Sequence, residues 1–195
     1  MASATPVQEV DTNTLGRASA LTVMSGVKPI WIPLLKILFF IVRLFPALLG
    51  TLRRLSFIHF ARWTLVREIP PGPSRRKEDL RHTYLFFESN YNGTWSQYID
   101  AFSYVVPQHI EAIWKSSYGF PGALPSHPFK RYIIENEYPA EHYYSAYPQA
   151  SATMVLAALE LRRNLDRLRR EAKSMSPEEF DDAWRRFLTD NQTRL

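Results

Sequence analysis

Cysteine is absent from the chain, which excludes a disulfide framework, a thiol nucleophile, an iron–sulfur centre and a cysteine zinc site. Glycine is scarce, with 7 among 195 residues. No G-x-G-x-x-G or Walker lysine pattern occurs, so no phosphate-cradling nucleotide loop is indicated. The serines lack a G-x-S-x-G elbow, and the carboxylates show no paired-acid spacing. The histidines His59, His82, His109, His127 and His142 form no H-x-x-x-H or H-x-x-E pair, and no metal site is expected. An uninterrupted apolar run of ~20 residues, the length of a bilayer span, is missing too.

Aromatic residues, by contrast, make up 14% of the chain, and 14 prolines predict many stiff turns. The length suits one domain with an appendage, and 46% hydrophobic residues support a packed core. Residues 21–81 carry 11 Lys and Arg against 3 acids, whereas residues 82–160 carry 3 against 7. The basic excess therefore follows the most apolar stretch of the chain. That placement favours an anionic lipid surface over nucleic acid as the partner. Over Arg162–Lys173 the cations alternate with acids and leucines and read as a solvated helix face rather than a nucleic-acid patch.

Four segments emerge: a polar N-terminal tail over 1–28, an apolar membrane-associating helical segment over 29–55, an α+β domain over 56–150, and C-terminal helices over 151–195. The tail has no charged n-region and no cleavage site follows the apolar run, so the segment is expected to be retained. Within it, Lys36 and Arg43 interrupt the run and Pro33 and Pro46 punctuate it. Lys36, Arg43 and Arg54 return near one helical azimuth, with Trp31 as an interfacial anchor. The pattern predicts an in-plane amphipathic helix, with Trp31, Lys36, Phe39, Phe40 and Arg43 in contact with the membrane. A tilted span and a helix buried against protein are the rival readings.

Further along, period two over 57–66 and 82–89 predicts a hairpin with a charged loop at 74–81. Thr94 with Gln97 fits a capping box, and Pro107 should divide the helix that follows. Ser126–Asn136 reads as a short helix or a strand, and the run HYYSAY at 142–147 as a third strand. Ser151 starts a long helix with a seam at Met154, Ala158, Leu161, Leu165, Leu168, Ala172 and Met175. Ser176-Pro177 starts a second one, completing a helical pair. The fold class is α+β, with a small antiparallel sheet whose second face is aromatic and needs a cover.

The motifs HFARW (59–63), YLFFESNYNGTW (84–95), YIDAF (98–102), GFPG (119–122) and YYSAYP (143–148) resemble those of a family of poorly characterised bacterial proteins. The domain over roughly 56–165 is similar to the ferredoxin-like group, some of whose members form dimeric α+β barrels. That resemblance implies a sheet able to meet a second copy, and relatives that include haem-binding and monooxygenase proteins. It implies no reaction by itself.

The candidate ligand-binding residues are Arg62, Glu88, His109, Asn90 and Asn92. Arg62 shares strand alternation with Ile58, Phe60, Thr64 and Val66, and is buried if that face is the core. A buried guanidinium demands a carboxylate, and Glu88 on the paired strand is the natural one. His109 lies on a helix face with Asp100 or Glu111 to orient it, and is the one candidate haem ligand. Asn90 and Asn92 stand where a strand meets a helix N-terminus, where free amides suit an anion, although turn chemistry accounts for them equally. The expectation is a membrane-associated accessory or assembly protein at the cytoplasmic face. It would dock to membrane lipid, an integral membrane protein or a second copy, with no cofactor. The alternative is an enzyme or carrier holding a lipid-like ligand or haem on the aromatic sheet face.

Overall fold

The computed structural model describes residues 13–194 apart from residues 51, 53, 54, 74, 75 and 141, and apart from the side chains of residues 48 and 49. The chain divides into two compact units, Met1–Gln149 and Ala150–Leu195. In the first, an open antiparallel sheet of four strands has the order β1–β2–β4–β3, with β1 at Thr14–Leu15, β2 at Ala18–Gly26, β3 at Ile58–Ile69 and β4 at Glu78–Asn92. Because β2 and β3 both run antiparallel to β4, they are parallel to each other across it. Helix α1 (Ile32–Leu44) makes the crossover between them.

The residues expected to form a polar tail include the nine of β2, a central strand. Ser19, Leu21, Val23 and Ser25 face the core while Ala20, Thr22 and Met24 alternate outward. Small and hydroxyl side chains at both sets of positions disguise the period of two. The other edge of β2 is sealed in pieces. Ala20 N–H donates to Asn13 O at 2.9 Å, Tyr138 N–H to Thr22 O at 2.9 Å, and Tyr118 N–H to Gly26 O at 2.9 Å. Between β1 and β2, Gly16 has φ +65°, and a Cβ there would lie 2.2 Å from Pro148 O. Only glycine satisfies both conditions.

Three helices, α2 (Trp95–Val105), α3 (Pro107–Trp114) and α4 (Ser126–Asn136), contribute to the core on one sheet face. The Thr94–Gln97 capping box starts α2, and Pro107 at the first turn of α3 separates the two. Leu21, Val23, Leu85, Phe87 and Tyr91 from the sheet join Tyr98, Phe102, Ile110, Trp114, Phe129 and Ile133 from the helices. Trp63 lies 4.9 Å from Phe87 between ring centroids, and Phe87 lies 5.2 Å from Trp114. Each fully buried side chain of this size contributes roughly 1.5–3 kcal/mol. Lys130 Nζ donates to Ser96 Oγ and Asp100 Oδ2, both at 2.7 Å, and so ties α4 to α2.

Two local expectations fail. The run HYYSAY forms no strand: among its described residues, 142–147, the backbone is irregular and Tyr144 and Tyr147 are exposed. The β2 edge is already occupied, so the run has no place there. The charged stretch expected as a loop enters β4 at Glu78, which makes the hairpin connection shorter.

In the second unit, α5 (Ala152–Glu171) continues as a short 3₁₀ turn and is followed by α6 (Pro177–Asp190). Ser151 Oγ accepts from Met154 N–H, and Ser176 with Glu179 forms a full capping box. Asn164 Nδ2 donates to Asn191 Oδ1 at 2.9 Å, and Arg194 pairs with Glu160 at 2.9 Å. The two helices therefore meet as a local hairpin. Leu168 and Ala183 are buried, whereas Met154 and Leu165 of the expected seam are exposed.

Candidate functional site

Helix α1 presents two apolar faces. Leu35 is buried, and Trp31, Ile32, Leu38 and Phe39 rest against the core. On the opposite side Leu34, Ile37, Phe40, Ile41 and Leu44 are all exposed, Phe40 by 61%, and Ile30 just before the helix is exposed by 84%. A helix that is apolar all round has a second surface to bury. Lys36 and Arg43, seven residues and so nearly two turns apart, lie exposed along one flank. Of the expected membrane-contact residues, Phe40, Lys36 and Arg43 face outward, whereas Trp31 and Phe39 are half-buried on the protein side. After Pro46 the chain makes a 3₁₀ turn rather than resuming the α-helix, and Arg54 lies outside the described residues. Among the described residues no helix is long and apolar enough to cross a membrane; α1 has 13 residues.

The inner face of α1 borders a cleft of about 100 Å³, lined by Leu38, Phe39 and Val42 of α1, Leu52, Trp63 of β3, Phe102 of α2, and His109, Ile110, Ala112 and Ile113 of α3. Its accessible lining is wholly apolar; Trp63 and His109 are the only lining residues with side-chain nitrogens. Trp63 Nε1 and His109 Nδ1 are buried and have no hydrogen-bond partner. The expected orienting carboxylates are engaged elsewhere: Asp100 with Lys130, and Glu111 Oε1 with Ala123 N–H at 2.7 Å. Neither of the two carboxylates expected to orient His109 is therefore engaged with it. Trp63 is the cleft residue that sequence reading missed. It sits in the FARW run but on a different element from His109, so no spacing connects them.

Arg62 and Glu88 do come together, as facing residues of β3 and β4 joined by an ion pair. Their place corrects the expectation of a buried pair, because the side chains are 56% and 31% exposed. The reason is a bulge at His59. Ile58 pairs with Tyr91 and packs on the core, whereas Phe60 pairs with Asn90 on the outer face. Arg62, Thr64 and Val66 follow Phe60 outward, and Ala61, Trp63 and Leu65 face the core. The outer face thus carries cross-strand rows of Ala20, Asn90 and Phe60, of Thr22, Glu88 and Arg62, and of Met24, Phe86 and Thr64. Asn90 belongs to this face. Asn92 instead donates from Nδ2 to Arg17 O at 2.7 Å, anchoring the end of β4 to the β1–β2 turn. At this corner Asn92 holds the backbone of the β1–β2 turn, while Asn90 lies in a cross-strand row of the outer face.

Glu137, which sequence reading also passed over, follows α4 and bridges to Val23 of β2. Trp95 Nε1 donates to its Oε2 at 3.1 Å. Burial raises its carboxyl above the usual carboxylate range, and the indole hydrogen bond only partly offsets that. Among the described residues no group of three or more His, Cys, Asp or Glu is placed to hold a metal ion.

No protein-family model matches the chain, and no curated protein or solved structure shows significant similarity to it.

Proposed function

We propose that this protein is a membrane-surface accessory or assembly protein whose α1 lies in the plane of an anionic bilayer. The observation that carries this reading is the unused apolar face of α1, formed by Leu34, Ile37, Phe40, Ile41 and Leu44. That face would enter the acyl boundary while Lys36 and Arg43 reach the headgroups, as amphipathic interfacial helices do. The basic excess around this segment suits the anionic cytoplasmic leaflet, each cation contributing ~1 kcal/mol near the surface. Thirteen residues are short of a span, so contact in the plane is the mode proposed.

The outer sheet face supports the second half of the reading, docking to a partner or a second copy. Phe60 is exposed and Met24, Tyr84, Phe86 and Val66 are half-buried on a surface that also holds Arg62 and Glu88. We propose kinship with ferredoxin-like folds on the same basis: the order β2–β4–β3 with a helical crossover between two parallel strands supports it.

The test is co-sedimentation of the full chain with vesicles of phosphatidylserine and phosphatidylcholine. Binding should weaken as salt rises, because the cationic part is screened over ~10 Å at 0.1 M. It should be lost in the double variant Ile37→Asp, Phe40→Asp, whose far-UV spectrum stays native because both positions are already exposed. Absence of the full chain from the vesicle pellet at low salt would overturn the reading.

A further inference from the structure

We infer that the α5–α6 hairpin is a dimerisation surface whose occupant is the same hairpin of a second copy, packed face to face as an antiparallel four-helix bundle. The inference is independent of the proposed bilayer contact and of the outer sheet face, since it uses neither α1 nor the sheet. It starts from a shortage of core. Among the described residues of Ala150–Leu195, Ala152, Leu168 and Ala183 are the only buried hydrophobics, and a two-helix unit of this size depends on further burial, commonly by association. Phe180, Trp184 and Leu188 of α6 stay exposed, as do Met154 and Leu165 of α5.

These exposed residues share one side of the hairpin. At ~100° per residue, Met154 and Leu165 stand ~40–60° round α5 from the buried Leu168. By the same step, Phe180, Trp184 and Leu188 stand ~60–140° round α6 from the buried Ala183, in the same rotational sense. Antiparallel helices turn oppositely when viewed from one end, so both rotations lead to the same side. The other side is polar, where Asn164, Arg167 and Glu171 of α5 and Arg186 and Asp190 of α6 line a cleft.

Charge selects the occupant. Beyond the apolar stripe, α5 is edged by Arg162, Asp166, Arg169 and Lys173, net +2, and α6 by Glu178, Asp181 and Arg185, net −1. Within one chain the ion pairs of these edges stay inside their own helix, Arg162 with Asp166 at 4.0 Å and Arg185 with Asp181 at 2.8 Å. A two-fold axis along the helices lays α5 of each copy on α6 of the other, antiparallel, so that the basic edge meets the acidic one. Asp166 then comes within about a turn of the second copy's Arg185, and Lys173 within about a turn of its Asp181. Laying α5 on α5 would instead oppose two basic edges.

Sedimentation equilibrium of the full chain without lipid tests this. The wild-type mass should rise with concentration towards twice the 22.7 kDa of one chain. Leu165→Glu, at a position already exposed, should keep its far-UV spectrum and raise the dissociation constant roughly tenfold or more, because a two-fold interface loses the contact twice. Asp166→Arg and Arg185→Asp should each weaken the dimer roughly two- to tenfold. The double variant should recover the wild-type affinity, although the ion pairs within each helix stay broken, and a role inside one chain would give no such rescue. Phe60→Asp on the outer sheet face should leave the dimer intact, so this proposal and docking through the sheet fail separately. A wild-type chain that stays monomeric at its highest soluble concentration would overturn the inference. So would a dimer indifferent to Leu165→Glu, or a double variant no tighter than the single ones.

Discussion

The two faces of the sheet are built from the same strands, and neighbouring residues on β4 have opposite fates. Phe87 is 3% exposed in the core beside Trp63 and Trp114, while Phe86 next to it lies half-buried on the outer face in a row with Met24 and Thr64. The inner face is closed by the protein's own helices, whereas the outer face keeps Phe60 exposed and Met24, Tyr84 and Phe86 half-buried. A large apolar side chain on a strand therefore tells nothing about the core until its parity is known. The same holds for charge. Arg62 and Glu88 satisfy each other in the open, where the pair's contribution is modest.

Phe87→Ala against Phe86→Ala breaks this comparison most sharply. Deleting Phe87 removes ring contacts in a closed core and should cost ~3–5 kcal/mol. Phe86→Ala removes a ring from a surface that solvent already reaches, and its cost should fall well below that. Chemical denaturation of the two variants reads the difference directly, and equal losses would show that the outer face is as well packed as the inner one.

Arg62→Ala comes next in size. Had the residue been buried, orphaning Glu88 would have cost ~3–5 kcal/mol. With the pair on the outer face, a loss of ~0.2–1 kcal/mol is expected, decreasing further as salt is added. A larger, salt-independent loss would mean that another surface covers the pair in solution, and would point to docking of a second copy on this face.

How far the sequence discloses these faces depends on the range of the rule involved. The Thr94–Gln97 and Ser176–Glu179 capping boxes and the break at Pro107 are legible because each is decided within four residues. Strand β2 is hidden because Ser, Ala and Thr stand where larger residues would mark its alternation, and its central place follows from pairing with β4 far along the chain. The parity of Arg62 turned on one bulged residue, His59, which has no distinctive signature. The ion pair itself was foreseeable from complementary charge on paired strands; its exposure was not. The cleft residues Trp63 and His109 meet only through the packing of α1, β3 and α3, a relation that no local pattern encodes.

The smallest expected effect separates two carboxylates of the sheet region, Glu88 and Glu137. Glu88 stands on the open face, whereas Glu137 is half-buried beneath the Trp95 indole. Burial raises the Glu137 carboxyl above its ordinary value of 4.5. The folded chain therefore holds that proton more tightly than the unfolded chain does. Between the ordinary value and the raised one the folded state binds more protons, so stability falls as pH rises through that window. Below the window both states are protonated and the penalty disappears. Glu137→Gln keeps a carbonyl acceptor for Trp95 Nε1 but never ionises. Its melting temperature should match wild type below the window and exceed it slightly at neutral pH. A variant that is less stable than wild type at neutral pH would mean that the charged hydrogen bond from Trp95 outweighs desolvation. In that case the ionised carboxylate, like Glu88 on the open face, would be a net stabilising group.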